Sequence, residues 1–63
     1  MKQEFIQKVI KNEQVDTKDY RYKTFEAHDG ERQYRIIKRI PISALGTTAA
    51  LSENWETIWT EKR

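Results

Sequence analysis

The chain contains no cysteine, a single histidine, one proline and two glycines in 63 residues. Without cysteine there is no disulfide, no thiolate nucleophile and no cysteine-ligated zinc or iron–sulfur site. One histidine, His28, cannot build a histidine-rich metal site. The two glycines, Gly30 and Gly46, are too far apart for a Walker or dinucleotide loop, so no cofactor is expected. No apolar run approaches the roughly 20 residues of a membrane span. The start, Met1 to Phe5, lacks the apolar segment of a signal peptide. These absences point to a cytoplasmic protein with no membrane partner.

Small size adds a constraint. Domains of this length bury only about 60% of the surface their unfolded chains expose. With disulfides and metals gone, a homo-oligomer or docking on a larger partner is the reinforcement left open. The composition, 35% charged, approaches the disordered regime. Two Trp, three Tyr and two Phe oppose that, since each aromatic carries a large area to bury.

Charge is unevenly spread. Residues 1–19 balance four lysines against four carboxylates. Residues 20–42 hold Arg21, Lys23, Arg32, Arg35, Lys38 and Arg39 against Glu26, Asp29 and Glu31. Residues 43–63 have one more acid than base, so the net charge of +2 understates how basic the middle segment is.

Phe5, Ile6, Val9 and Ile10 form one stripe of a helix, and Glu4 and Lys8 make a favourable i,i+4 pair. A helix over 2–12 follows, with Asn12 helping to end it. Residues 12–19 are polar and read as a connection. Residues 20–42 read as a β-hairpin hinged at His28-Asp29-Gly30. A two-residue Asp29-Gly30 turn sets Phe25 opposite Tyr34 and Tyr22 opposite Ile37, mixing aromatics with arginines on both faces. A type I turn with a G1 bulge at Gly30 instead sets Thr24 opposite Tyr34, Tyr22 opposite Ile36 and Tyr20 opposite Lys38. That register gathers Tyr20, Tyr22, Thr24, Tyr34 and Ile36 on one face and Arg21, Lys23, Phe25, Arg35 and Ile37 on the other. The cleaner segregation favours the bulge, and Gly30→Val tests it.

Pro41 removes a backbone donor and should end the second strand. Residues 43–52 read as a loop with a short turn. Residues 51–61 fit two patterns: Leu51, Trp55, Ile58 and Trp59 make a helical stripe, whereas Trp, Thr and Ile favour strand. A strand over 55–60 completes a three-stranded sheet and places Trp55, Thr57 and Trp59 on one face. The expected fold is α+β: one domain, 1–63, with an N-terminal amphipathic helix on a small antiparallel sheet.

Ser43 or Ser52 with His28 and Asp29 supplies the residue types of a hydrolytic triad, but adjacent His and Asp in a tight turn rarely orient a distant serine. Glu26, His28, Asp29 and Glu31 crowd the hairpin tip without the closed shell a cation needs. Neither a catalytic nor a metal site is assigned, and an enzyme is the least favoured class. Tyr20, Tyr22, Tyr34, Trp55 and Trp59, with Arg39 at the rim, are the residues expected to contact a protein partner, since tyrosine, tryptophan and arginine are favoured anchors. This describes a small non-catalytic regulator or inhibitor of a larger protein, a type common among phages and mobile elements. The alternative is nucleic-acid binding through Arg21, Lys23, Phe25, Arg35 and Arg39, with charges set against phosphates and an aromatic against a base. Recognised RNA-binding aromatic motifs and the helix-turn-helix pattern are missing.

Overall fold

The computed structural model describes residues 3–48, 51 and 54–62. Lys2, where the sequence starts the helix, and loop residues 49, 50 and 52 lie outside them. The architecture is α+β, as expected: one helix packed on a four-stranded antiparallel sheet in the order β1-β2-β3-β4. The elements are α1 (Gln3–Asn12), β1 (Gln14–Asp16), β2 (Tyr20–Asp29), β3 (Arg32–Pro41) and β4 (Glu56–Lys62), with a 3₁₀ turn over Ile42–Ala44. No helix is long and apolar enough to cross a membrane among the described residues.

The stripe read from the sequence sets the helix's inner face. Ile6 and Val9 are buried, while Phe5 and Ile10 are partly buried against the same cluster. Each fully buried Val or Ile side chain contributes about 1.5–3 kcal/mol, so these residues hold the helix on the sheet. Asn12 closes the last turn by donating from Nδ2 to the Lys8 carbonyl over 2.8 Å. Glu13 then adopts a positive φ of 66° and turns the chain away. The next three residues pair with β2 as a fourth strand that the polar connection gave no sign of. The Thr24 N–H donates to the Glu13 carbonyl (3.0 Å), and the Thr24 hydroxyl donates to the Val9 carbonyl (3.3 Å). Helix end and strand are thereby fixed together.

The hairpin forms, but in neither register considered from the sequence. Asp29 pairs with Arg32, leaving Gly30 and Glu31 as a two-residue turn. Gly30 has φ +65°, whereas Glu31 is not among the residues of positive φ. This is the φ signature of a type II′ turn, with glycine at the first central position. Phe25 faces Ile36, Ala27 faces Tyr34 and Tyr22 faces Arg39. The G1 bulge is therefore absent, and the tidy separation of aromatics from arginines with it.

Because side chains alternate along a strand, the observed pairs define two mixed faces. Tyr20, Tyr22, Thr24, Arg35, Ile37 and Arg39 point toward the helix side. Arg21, Lys23, Phe25, Ala27, Tyr34, Ile36, Lys38 and Ile40 point to the other side. The mixture is tolerated because the helix-side arginines are neutralised. Arg35 lies 3.7 Å from Glu26, and Arg39 lies 2.6 Å from Glu56 and stacks 4.3 Å from the Tyr20 ring centroid. Together with Arg21–Asp16 at 2.9 Å, every one of these ion pairs joins residues directly opposite across neighbouring strands. Opposed unlike charges support the register they sit in.

Residues 56–62 are strand, in line with the expected strand over 55–60, and Trp55 falls just before it. Trp55 and Trp59 do not share a face. Ile37 pairs with Trp59 and Lys38 with Thr57, so Ile58 is an extra residue, a β-bulge. A bulge resets the alternation: Ile58 and Trp59 both pack on the helix-side cluster, while Trp55 meets Phe25 on the other side. β3 ends at Pro41, as its missing donor requires, and the Ile42 N–H donates to the Asp19 carbonyl over 2.9 Å.

Candidate functional site

The helix covers one face of the sheet, so the residues expected to bind a partner divide between a covered and an open side. Tyr22 is 8% exposed, and its ring meets the Phe5 ring edge-on at 4.8 Å. Tyr20 and Trp59 pack partly buried on the same cluster. Arg39 is bound to Glu56, which holds its guanidinium above the ordinary pKa, with Tyr22 adding a smaller contribution in the same direction. These four residues are the helix-side core and its rim, not a common exposed patch. Tyr34 and Trp55 lie on the open side.

The second set divides as well. Arg21, Lys23 and Phe25 share the open face, whereas Arg35 and Arg39 lie on the helix side in ion pairs. On the open face Arg21 is itself engaged. Its Nε and a terminal nitrogen donate to the two Asp16 carboxylate oxygens at 2.9 and 3.0 Å, lowering the Asp16 pKa.

What the register does assemble on the open side was not visible as a group in the sequence. Phe25 and Trp55 form a T-shaped pair, 5.6 Å between centroids and 86° between planes. Lys23 and Lys38 each place Nζ 5.6 Å from the Phe25 centroid. Ile36 is the cross-strand neighbour of Phe25, with Thr60 beyond it on β4. Tyr34 sits between Ala27 and Lys62. Lys38 and Lys62 were not singled out as contact residues from the sequence, and Ile36 was placed on the face of Tyr20 and Tyr22 rather than with Phe25, because strand parity depends on the turn.

The two faces also differ in charge. By strand pairing, the open face carries Arg21, Lys23, Arg32, Lys38 and Lys62 against Asp16 and Asp29. The helix side of the sheet carries Arg35 and Arg39 against Glu26, Glu56 and Glu61. Among the paired strand residues, the positive excess therefore lies on the helix-free face.

His28 and Asp29 stand at the hairpin tip, while Ser43 follows the far end of β3. A ten-residue strand at about 3.3 Å per residue separates them, so no triad forms from these groups. Ser52 lies outside the described residues. Among the described residues there is no cluster of three metal-ligating side chains, and no enclosed cavity is found. In comparisons with known proteins, no family model matches this chain, and neither a curated protein nor a solved structure is similar to it.

Proposed function

We propose that this is a small non-catalytic regulatory or inhibitory protein that docks on a larger protein partner through the helix-free face of its sheet. The observation that carries the reading is the open-face arrangement of Phe25 and Trp55, edge to face and flanked by Lys23 and Lys38. Aromatic anchors bordered by charged groups are the usual anatomy of a protein interface, with a few side chains carrying most of the energy. The contact centre thus moves from the tyrosines of β2 to Phe25, Trp55, Ile36 and Tyr34.

A second reading, nucleic-acid binding, draws on the same face, because the paired strand residues described set five cations there against two carboxylates. Sheet-based binders of single strands stack bases on uncovered aromatic rings. The Phe25 ring has Trp55 packed against it and two ammonium groups over it. That geometry favours the protein partner.

A photo-crosslinking residue at Thr60, exposed on the open face, tests the reading against a control at Lys8 on the outer surface of the helix. In extract of the source cells a discrete protein adduct is expected from position 60 and not from position 8. Nuclease-sensitive adducts would establish the second reading. Equal labelling from both positions, or none from position 60, would remove the proposed surface.

A further inference from the structure

Two backbone hydrogen bonds fix which way β1 faces. The Thr24 N–H donates to the Glu13 carbonyl (3.0 Å) and the Thr17 N–H to the Tyr20 carbonyl (2.8 Å). Backbone groups along an antiparallel strand turn alternately toward the neighbouring strand and away from it. With Glu13 and Thr17 turned toward β2, Val15 is turned toward it as well, opposite Tyr22. Gln14 and Asp16 therefore direct their N–H and C=O groups outward, and both residues are exposed. β1 ends the sheet on this side, so no further strand receives them. The other edge is defended. β4 is interrupted by the bulge at Ile58 and carries Glu56, Glu61 and Lys62, the usual devices against edge pairing. β1 has no proline, lysine or bulge, and its one charge, Asp16, is held by Arg21.

We infer that β1 is a self-pairing edge, on which a second copy of this chain docks antiparallel with Val15 on the two-fold axis. The inference goes beyond the docking of a larger protein and does not rest on it. In this register Gln14 faces Asp16 of the second copy, and Asp16 faces its Gln14. Every outward backbone group of both strands is then used, in closely spaced pairs of hydrogen bonds. Centring the pair on Gln14 leaves Asp16 without a partner strand, and centring it on Asp16 sets two carboxylates face to face. The side chains suit the same register. Arg21 takes one lone pair on each Asp16 oxygen, which leaves the carboxylate able to accept from the Gln14 amide of the second copy. On the helix side Val15 meets Val15 at the close spacing of a non-hydrogen-bonded pair, about 4.5 Å between Cα atoms. Val15 is only partly buried at the rim of the helix-side cluster, and the pairing covers more of it. The ends carry unlike charges, since Glu13 falls opposite Thr17 of the second copy, next to its Lys18. An edge this short falls below the roughly 1,000 Å² of a stable complex, so the dimer is a weak one, formed at high concentration.

The test dilutes the ¹⁵N-labelled full chain from about 1 mM to about 20 μM, following its amide shifts and its mass by sedimentation equilibrium. The mass should rise toward that of two chains at the high end. Shifts should be largest at Gln14 and Asp16, whose N–H groups gain a partner, and smaller at Val15 and Thr17, whose N–H groups already face β2. Asp16→Pro removes an outward donor that β2 does not use and should abolish the dimer. Its melting temperature should stay close to that of Asp16→Asn, which loses the same ion pair, keeps the donor and still dimerises. Val15→Cys gives a second readout, since the chain has no other cysteine and the two-fold brings the two sulfurs within disulfide reach. In a glutathione redox buffer it should form a covalent dimer about tenfold faster than Gln7→Cys, on the exposed surface of α1. A single-chain mass throughout the dilution overturns the inference. So do concentration-dependent shifts confined to the open face or to β4, an Asp16→Pro variant that still dimerises, or equal covalent dimer from positions 7 and 15. The protein adduct from position 60, on the opposite edge strand, is expected unchanged in Asp16→Pro, which keeps the self-pairing edge and the docking face separable.

Discussion

Ile36 and Ile37 are identical neighbours whose stability contributions should differ sharply, because strand pairing sends them to opposite faces. Ile37 is 0% exposed and belongs to the cluster with Ile6, Val9 and Tyr22. Ile36 is half-buried on the open side, between Phe25 and Thr60. Truncating Ile37 to Ala removes buried carbon worth roughly 0.8 kcal/mol per methylene and leaves a cavity, for a total of about 2–5 kcal/mol. A domain of this size has about 3–9 kcal/mol in all, so that variant sits at the edge of unfolding. Valine is the better probe. Ile37→Val should cost about 0.5–1.5 kcal/mol. With a urea slope near 1 kcal/mol/M for so small a domain, the midpoint should fall by about 1 M. Ile36→Val should stay within about 0.5 kcal/mol. Tryptophan fluorescence follows both transitions, with Trp59 reporting from the helix side and Trp55 from the open side. The bulged register drawn from the sequence exchanges the two roles, with Ile36 inside and Ile37 outside. Equal costs, or a larger cost at Ile36, would refute the observed pairing and the open face built on it.

Two further expectations concern the turn and the sheet edge. A Cβ at Gly30 would meet nothing within 4 Å, so Gly30→Ala is penalised through its φ of +65° alone, by about 1–2 kcal/mol. Gly30→Asn should cost less, and thermal melts that fail to rank the two would count against the turn. Arg21 holds the Asp16 carboxyl below its ordinary value of 3.8, so the folded pKa lies below the unfolded one. The pair's contribution is then full above the unfolded value and is lost as pH falls through the folded value. Asp16→Asn should flatten the acid limb of a stability–pH profile below about pH 4 and leave its shape at neutral pH unchanged. An unaltered acid limb would show that the pair adds nothing.

The sequence carried the elements further than their pairing. The Phe5–Ile6–Val9–Ile10 stripe identified the helix because its spacing is repeated and local. The hairpin strands were legible from their β-branched and aromatic residues, and Pro41 marked the end of β3. The register was not, because glycine can supply positive φ at several turn positions and each choice shifts every partner. Segregating aromatics from arginines looked like the better solution. The chain instead neutralises Arg35 with Glu26 and Arg39 with Glu56, which meet only once β3 is in register with β2 on one side and β4 on the other. β1 has one apolar residue in three, too little for a pattern, and is held by its pairing with Arg21–Lys23 of β2 and by the Arg21 side chain on Asp16. The bulge at Ile58 explains why Trp55 and Trp59 parted, and nothing in a Trp-Glu-Thr-Ile-Trp string announces it. The lysine pair over Phe25 depends on all of these pairings, since it exists only in the final register.

One strand also decides how the molecule comes apart. β3 lies between β2 and β4 and has fully covered side chains on both faces, Ile37 beneath the helix and Ile40 on the opposite side at 2% exposure. Peeling the helix away uncovers Ile37, and uncovering Ile40 on the opposite side disturbs the same stretch of backbone. Neither side of the sheet can come apart as an independent unit while β3 keeps its bonds. The amides of β3 should therefore open only with the whole molecule, exchanging their hydrogens at the rate of global unfolding.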